Sequence, residues 1–189
     1  MIYVEVNHND LEYVRSRLKH HEEEAPKALR DAINDTATHA RSLLSDAARS
    51  QYTVKKGGFN NHAKIKKATV SHLVAEIRVN GRPLTLTRFH TTAPKSGAKA
   101  EVVQGNGLKL LDKSGIKAFS GKGKSGMNNL ILQRKGKARL PLKSFYGNSV
   151  PKMIEKVYTG RSASAGLKDQ IEQNYQHNVD RQIARVMSG

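Results

Sequence analysis

The sequence predicts an α+β fold: a small, mostly antiparallel β-sheet with a long N-terminal helix and a C-terminal helix. Near both ends apolar residues recur at three and four, the spacing of one helix face. In the centre apolar and polar residues alternate at period two, the spacing of a strand covered on one side. Stretches rich in Gly, Ser and Lys separate the short strand candidates there. The 189 residues suffice for one domain. We read 1–189 as that domain: 1–51 an N-terminal strand and helices, 52–144 a basic β body with loops, 145–189 the C-terminal helices.

Ile2, Val4 and Val6 alternate with Tyr3 and Glu5, predicting a short strand at a sheet edge. Asn9 stands three residues before Glu12 as in a capping box, and Leu11, Val14 and Leu18 stripe a first helix that ends near His20 and His21. A longer helix follows. Glu22 to Glu24 favour its N-terminal dipole, Pro26 suits its first turn, and Leu29, Ile33, Thr36, Ala40, Leu43, Leu44 and Ala47 form its stripe to about Gln51.

Tyr52 to Lys67 is polar and lysine-rich, with Gly57-Gly58 and Asn60-Asn61 as breakers, and is expected to be a mobile arm. Leu73, Ala75, Ile77 and Val79 then share a strand face, with His72, Glu76 and Arg78 on the other. Asn80-Gly81 predicts a type I′ hairpin returning through Leu84 to Phe89, where Pro83 demands an edge or a strand end. Thr91 to Ala98 and Ser120 to Asn129 are expected loops, the second ordering only against a partner. Ala100 to Gln104, Ile116 to Phe119, Leu130 to Gln133 and Ala138 to Leu142 are strand candidates, the last two joined around Lys135-Gly136-Lys137. Asn148 or Ser149 caps a short helix with Pro151 in its first turn. Ser164 opens the last helix, striped by Leu167, Ile171, Tyr175, Val179, Ile183 and Val186.

The charge is concentrated. From Gln51 to Ser144 stand twenty Lys or Arg against Glu76, Glu101 and Asp112, so this segment alone carries +17 while the two ends nearly cancel. A basic centre between balanced ends reads as an electropositive body facing a polyanion, either nucleic acid or an acidic protein surface. The clusters are Lys55-Lys56, Lys64, Lys66 and Lys67, Lys122 and Lys124, and Arg134, Lys135, Lys137 and Arg139. Any one of them is an ordinary solvated side chain; twenty together repel unless something neutralises them, as backbone phosphates do. No base-stacking aromatic pattern, helix-turn-helix or zinc-finger spacing accompanies them.

Other chemistry is poorly represented. Aromatic residues make up 5%, Trp and Cys are absent, and the eight His include no HExxH pair, so no metal or other cofactor is expected. Gly123-Lys124-Ser125 lacks the first glycine of a P-loop, since Ala118 stands there. Three scattered acids in the β body do not supply the paired carboxylates of a hydrolase, and Glu22 to Glu24 read as a dipole-facing helix start. The N-terminus has no signal-peptide pattern, and no apolar run reaches the ~18 residues of a membrane span. The modest aliphatic core and the two long helical stripes lead to an expectation of multi-copy assembly.

Three stretches carry a family likeness: Arg82-Pro-Leu-Thr-Leu-Thr-Arg-Phe89, Ile116-Lys-Ala-Phe119, and Lys135-Gly-Lys-Ala-Arg-Leu-Pro-Leu-Lys-Ser-Phe-Tyr-Gly-Asn-Ser-Val-Pro-Lys-Met-Ile154. In these, and in the long Ala-, Asn- and Thr-containing helix followed by a basic stretch, the chain resembles the prophage minor tail protein Z family of tail completion proteins. The resemblance implies a structural virion protein of a long-tailed phage or prophage, made in the host cytoplasm and placed at the head-proximal end of the tail. Its implied partners are tail terminator or tail tube proteins, head-tail connector proteins and other copies of itself in a ring, with no membrane and no catalytic residues. Whether the charge meets double-stranded DNA or acidic neighbours stays open at this level. The main rival is a stand-alone nucleic-acid-binding accessory protein.

Overall fold

A computed structural model describes residues 2–5, 8–55, 59, 62–113, 115–122, 129–159 and 166–188. Strand β1 (Ile2–Glu5) alternates buried Ile2 and Val4 with exposed Tyr3 and Glu5. Helix α1 (His8–Leu18) starts just ahead of Asn9 and buries Val14 and Leu18. A 3-10 turn over Lys19–Glu24, entered through a positive φ at Lys19, carries Glu22 to Glu24 directly ahead of the next helix.

That helix, α2 (Ala25–Gln51), has Pro26 in its first turn, spans about 40 Å at 1.5 Å per residue, and ends where Tyr52 turns to extended backbone. Leu29, Ile33, Thr36, Ala40 and Leu44 are buried as their spacing predicts. Ala25, Ala28, Ala32, Ala37 and Ala48 are buried as well, so the covered arc is wider than one stripe. Two layers produce this width.

On one side lies a sheet of order β1-β3-β2, in which β2 (Ala63–Lys66) and β3 (Val74–Val79) pair antiparallel and β1 forms the predicted edge. The register places Ile2 and Ile65 beside Ile77, and Val4 beside Ala75, as an apolar inner face joined to the core. Tyr3, Glu76, Arg78, Lys64 and Lys66 alternate to the outer face. On the other side α4 (Leu167–Ser188) packs along α2 through Leu167, Tyr175, Val179 and Ile183. Asn178 Nδ2 donates to Thr36 Oγ1 at 2.9 Å across the buried seam, and Arg181 pairs with Asp35 at its rim. The helical stripes thus cover one another within a single chain, which removes the argument that they require additional copies. Ser164, the predicted start of α4, lies outside the described residues.

The β body departs from a single sheet. It contains three further small antiparallel sheets: β4 (His90–Thr92), β5 (Lys99–Glu101) and β6 (Lys109–Leu110); β7 (Asp112–Lys113) with β8 (Ile116–Lys117); and β9 (Phe119–Gly121), β10 (Leu130–Arg134) and β11 (Leu142–Ser144). The predicted strand Ile116 to Phe119 splits at Ala118, whose N–H donates to Leu111 O at 3.0 Å and whose carbonyl accepts from Ala98 N at 2.7 Å. Thr91 and Thr92, expected in a loop, belong to β4. The strand predicted at Ala138 to Leu142 forms later, at β11, after the turn through Pro141.

Two expectations are corrected. Asn80-Gly81 does not return a hairpin: Asn80 N donates to His62 O at 2.9 Å, because β2 already occupies that edge of β3. Leu84 to Phe89 bridges a distant segment instead. Leu86 N donates to Phe145 O, Gly147 N to Leu84 O at 2.8 Å, and Thr85 bridges Tyr146. Nor is Tyr52 to Lys67 a free arm where it is described: Tyr52, Val54 and Phe59 are buried, and residues 63–66 are strand β2. Three apolar anchors spaced along a lysine-rich stretch hold it to the core. Helix α3 (Val150–Tyr158) confirms its cap, with Ser149 Oγ accepting from Lys152 N.

Candidate polyanion interface

Strand β10 supplies the frame for the densest basic cluster. Leu130, Ile131, Leu132 and Gln133 are all buried, because β10 is the central strand of its sheet and is covered on both faces. Gln133 anchors it with a side-chain bond to Ile116 O. The strand then emerges at Arg134, and the chain turns back through 135–141, closed by Lys135 N donating to Pro141 O at 3.1 Å. Arg134, Lys135, Lys137 and Arg139 are all exposed on this hairpin, and Leu140, beside the closing Pro141, is 63% exposed. Desolvation costs so much for cations that this is the place a basic turn adopts by default.

The second cluster lies on β2. Lys64 and Lys66 alternate to the outer face, opposite Arg78 and Glu76, and Lys67 follows, exposed. Lys55 and Lys122 are exposed at other points of the β body, while Lys56 and Lys124 lie outside the described residues. The structure therefore brings together the hairpin quartet and the β2 lysines as two separate groups.

Two of the three acids of the β body are already committed elsewhere. Glu76 accepts from Arg78 Nε at 2.8 Å and is itself buried between its strand neighbours. Glu101 faces His90 Nδ1 at 3.1 Å and accepts from Gly107 N at 3.0 Å; these hydrogen bonds hold its carboxyl below the usual carboxylate range. The remaining ion pairs belong to the helices: Arg15–Glu12, Lys27–Glu24, Arg30–Asp31, Arg49–Asp46 and Arg181–Asp35. Among the described residues none of the candidate cations is ion-paired. From Lys113 to Ile154 the chain contains no carboxylate side chain at all.

Sequence reasoning missed Arg88. It lies exposed on a 3-10 turn (Leu86–Arg88), and its carbonyl accepts from Lys55 N at 2.9 Å, so two cations from distant segments sit side by side. They line a cleft of about 520 Å³ together with Thr85, Thr87, Thr91 and Thr92. The only signal for it was the Thr85-Leu-Thr-Arg88 alternation, which had been assigned to a strand.

What these elements display is positive charge. Among the described residues no group of three or more His, Asp or Glu could hold a metal ion, and no helix is long and apolar enough to cross a membrane. The chain belongs to the prophage minor tail protein Z family, whose model matches residues 11–189. It is therefore a phage minor tail protein, a structural component of the virion. No curated protein and no solved structure gives a significant match.

Proposed function

We propose that this minor tail protein completes the tail at its head-proximal end and takes part in joining tails to heads, with its basic β body turned toward double-stranded DNA. The observation that carries the reading is the set of exposed, unpaired cations on the β body, where Glu76 and Glu101 are bound internally. Such a surface is held in check by its own repulsion until phosphates neutralise it and release their counterions. The helical end, where charges pair locally, supplies no comparable field.

Neighbouring proteins meet the same body. Val103, Leu108, Leu110, Phe119 and Leu140 are large apolar residues left exposed there, Leu110 and Phe119 in strands of small open-edged sheets and the others on the segments between strands. Tail terminator or tube proteins, connector proteins and further copies in a ring are the partners we assign to these surfaces. The role is structural and non-enzymatic.

The test is complementation. Tails assembled without the chain are mixed with filled heads, with wild-type protein or with a variant carrying Arg134, Lys135, Lys137 and Arg139 all changed to Glu. Wild type should restore joined infectious particles and the variant should not. Full joining without the protein, or equal rescue by the variant, would overturn the proposal.

A further inference from the structure

The cleft beneath Lys55 and Arg88 has a composition that the hairpin lacks. We propose that it is a binding site for backbone phosphates of duplex DNA, engaged without regard to base sequence. The inference deepens the DNA reading above by naming a contact site that is separate from the hairpin.

Three segments build it. Residues 53–55 leave α2, residues 85–93 run from the 3-10 turn into β4, and Ser120 and Asn129 flank the connection from β9 to β10. The first two are tied together at several points. Lys55 N donates to Arg88 O at 2.9 Å, Thr53 Oγ1 accepts from His90 N at 3.2 Å, and the same hydroxyl donates to Glu101 O. Lys55 and Arg88 therefore project from a backbone fixed by hydrogen bonds, which lowers the entropy lost when they close on a ligand.

The lining is selective in its chemistry. Two cations, the Thr91, Thr92 and Ser120 hydroxyls and the Asn129 amide can donate to phosphate oxygens, as can one hydroxyl of the Thr85–Thr87 pair, which share a hydrogen bond of 3.1 Å. Among the described residues no carboxylate lines the cleft, and the nearby Glu101 is occupied by His90 and Gly107. Arg, Lys, Ser, Thr and Asn are the side chains that hold phosphodiester oxygens, and such contacts position a duplex without reading it. Among the described residues no aromatic ring lines the cleft to form a platform on which an unpaired base could stack.

The experiment uses the full chain and a fluorescent 30-base-pair duplex of arbitrary sequence, with affinity followed across a salt series. The Lys55→Gln/Arg88→Gln variant should bind more weakly by the same factor on unrelated duplexes. Its plot of log affinity against log salt should be shallower by about 2, since each phosphate contact contributes a slope near 0.9. Thr87→Val, which keeps shape and charge, should weaken binding with the slope unchanged. Circular dichroism confirms that each variant is folded. Unchanged affinity and slope in the double variant, with binding still lost in the hairpin reversal, would overturn the cleft while leaving the DNA reading intact. Failure of the wild-type chain to bind duplex at low salt would overturn both. Saturable binding of inorganic phosphate at the cleft without duplex binding would also overturn the proposal, marking a small-anion site.

Discussion

Gly147 shows how one residue can tie two distant motifs together. A Cβ there would collide with the ring of fully buried Phe89, and the backbone around it pairs with Leu84 and Leu86. The stretches Arg82 to Phe89 and Lys135 to Ile154, which carried the family resemblance, thus form one hydrogen-bonded clasp. Gly147→Ala should cost about 1–3 kcal/mol, the usual penalty of overpacking, read by urea denaturation. Thr36 and Asn178 make a comparable link across the helix seam, with Thr36 Oγ1 also donating to Ala32 O at 2.8 Å. Thr36→Val leaves the Asn178 amide with only its bond to Asn174, and should destabilise by about 1–3 kcal/mol. Adding Asn178→Leu should recover part of that loss, because an apolar pair leaves no donor unsatisfied.

Acidity acts at the same scale. The Glu101 carboxyl is depressed by its hydrogen bonds to His90 and Gly107, so it binds a proton less readily in the folded than in the unfolded state. Its contribution is therefore present above the ordinary carboxylate pKa of about 4.3 and is lost as pH falls through the lower folded value. Thermal melts from pH 6 to pH 3 should show Glu101→Gln flatter than wild type across the acid limb. Parallel curves would show that these hydrogen bonds do not stabilise the fold.

At the scale of elements, the helices were legible because their periods run over many turns: Leu29, Ile33, Thr36, Ala40 and Leu44 and Leu167, Tyr175, Val179 and Ile183 are buried where the spacing places them, with Leu43 and Ile171 half-buried. The β body was legible only in part. Most of its strands run only two or three residues, too short to display an alternation, and β10 displays none because both of its faces are covered. Leu84 to Phe89 was misassigned because its partner stands some sixty residues later, beyond any local signal. Lysine content alone suggested a free arm at 52–67, while its anchoring depends on Tyr52, Val54 and Phe59. The hairpin quartet was readable as charge, yet the cleft was not, since Lys55, Arg88 and Thr91 come together only through the fold. The hairpin itself contributes little to stability. Reversing its four cations should change unfolding free energy by no more than about 0.5 kcal/mol per residue, since each is exposed. A cooperative loss of structure in that variant would show that the turn is part of the core.

For the whole molecule, the fold separates two kinds of surface. The α2–α4 side balances its charge in local pairs, while the β side holds cations without partners among the described residues. The central claim is that the β side is the one that faces a polyanion in the joined particle. Lysine acetylation read by mass spectrometry tests this directly, on free protein and on purified joined particles. Lys64, Lys66, Lys135 and Lys137 should become strongly protected in the particle, while Lys27 and Lys156 on the helices keep most of their reactivity. Full reactivity of the β-body lysines in joined particles, with protection confined to the helices, would contradict the account.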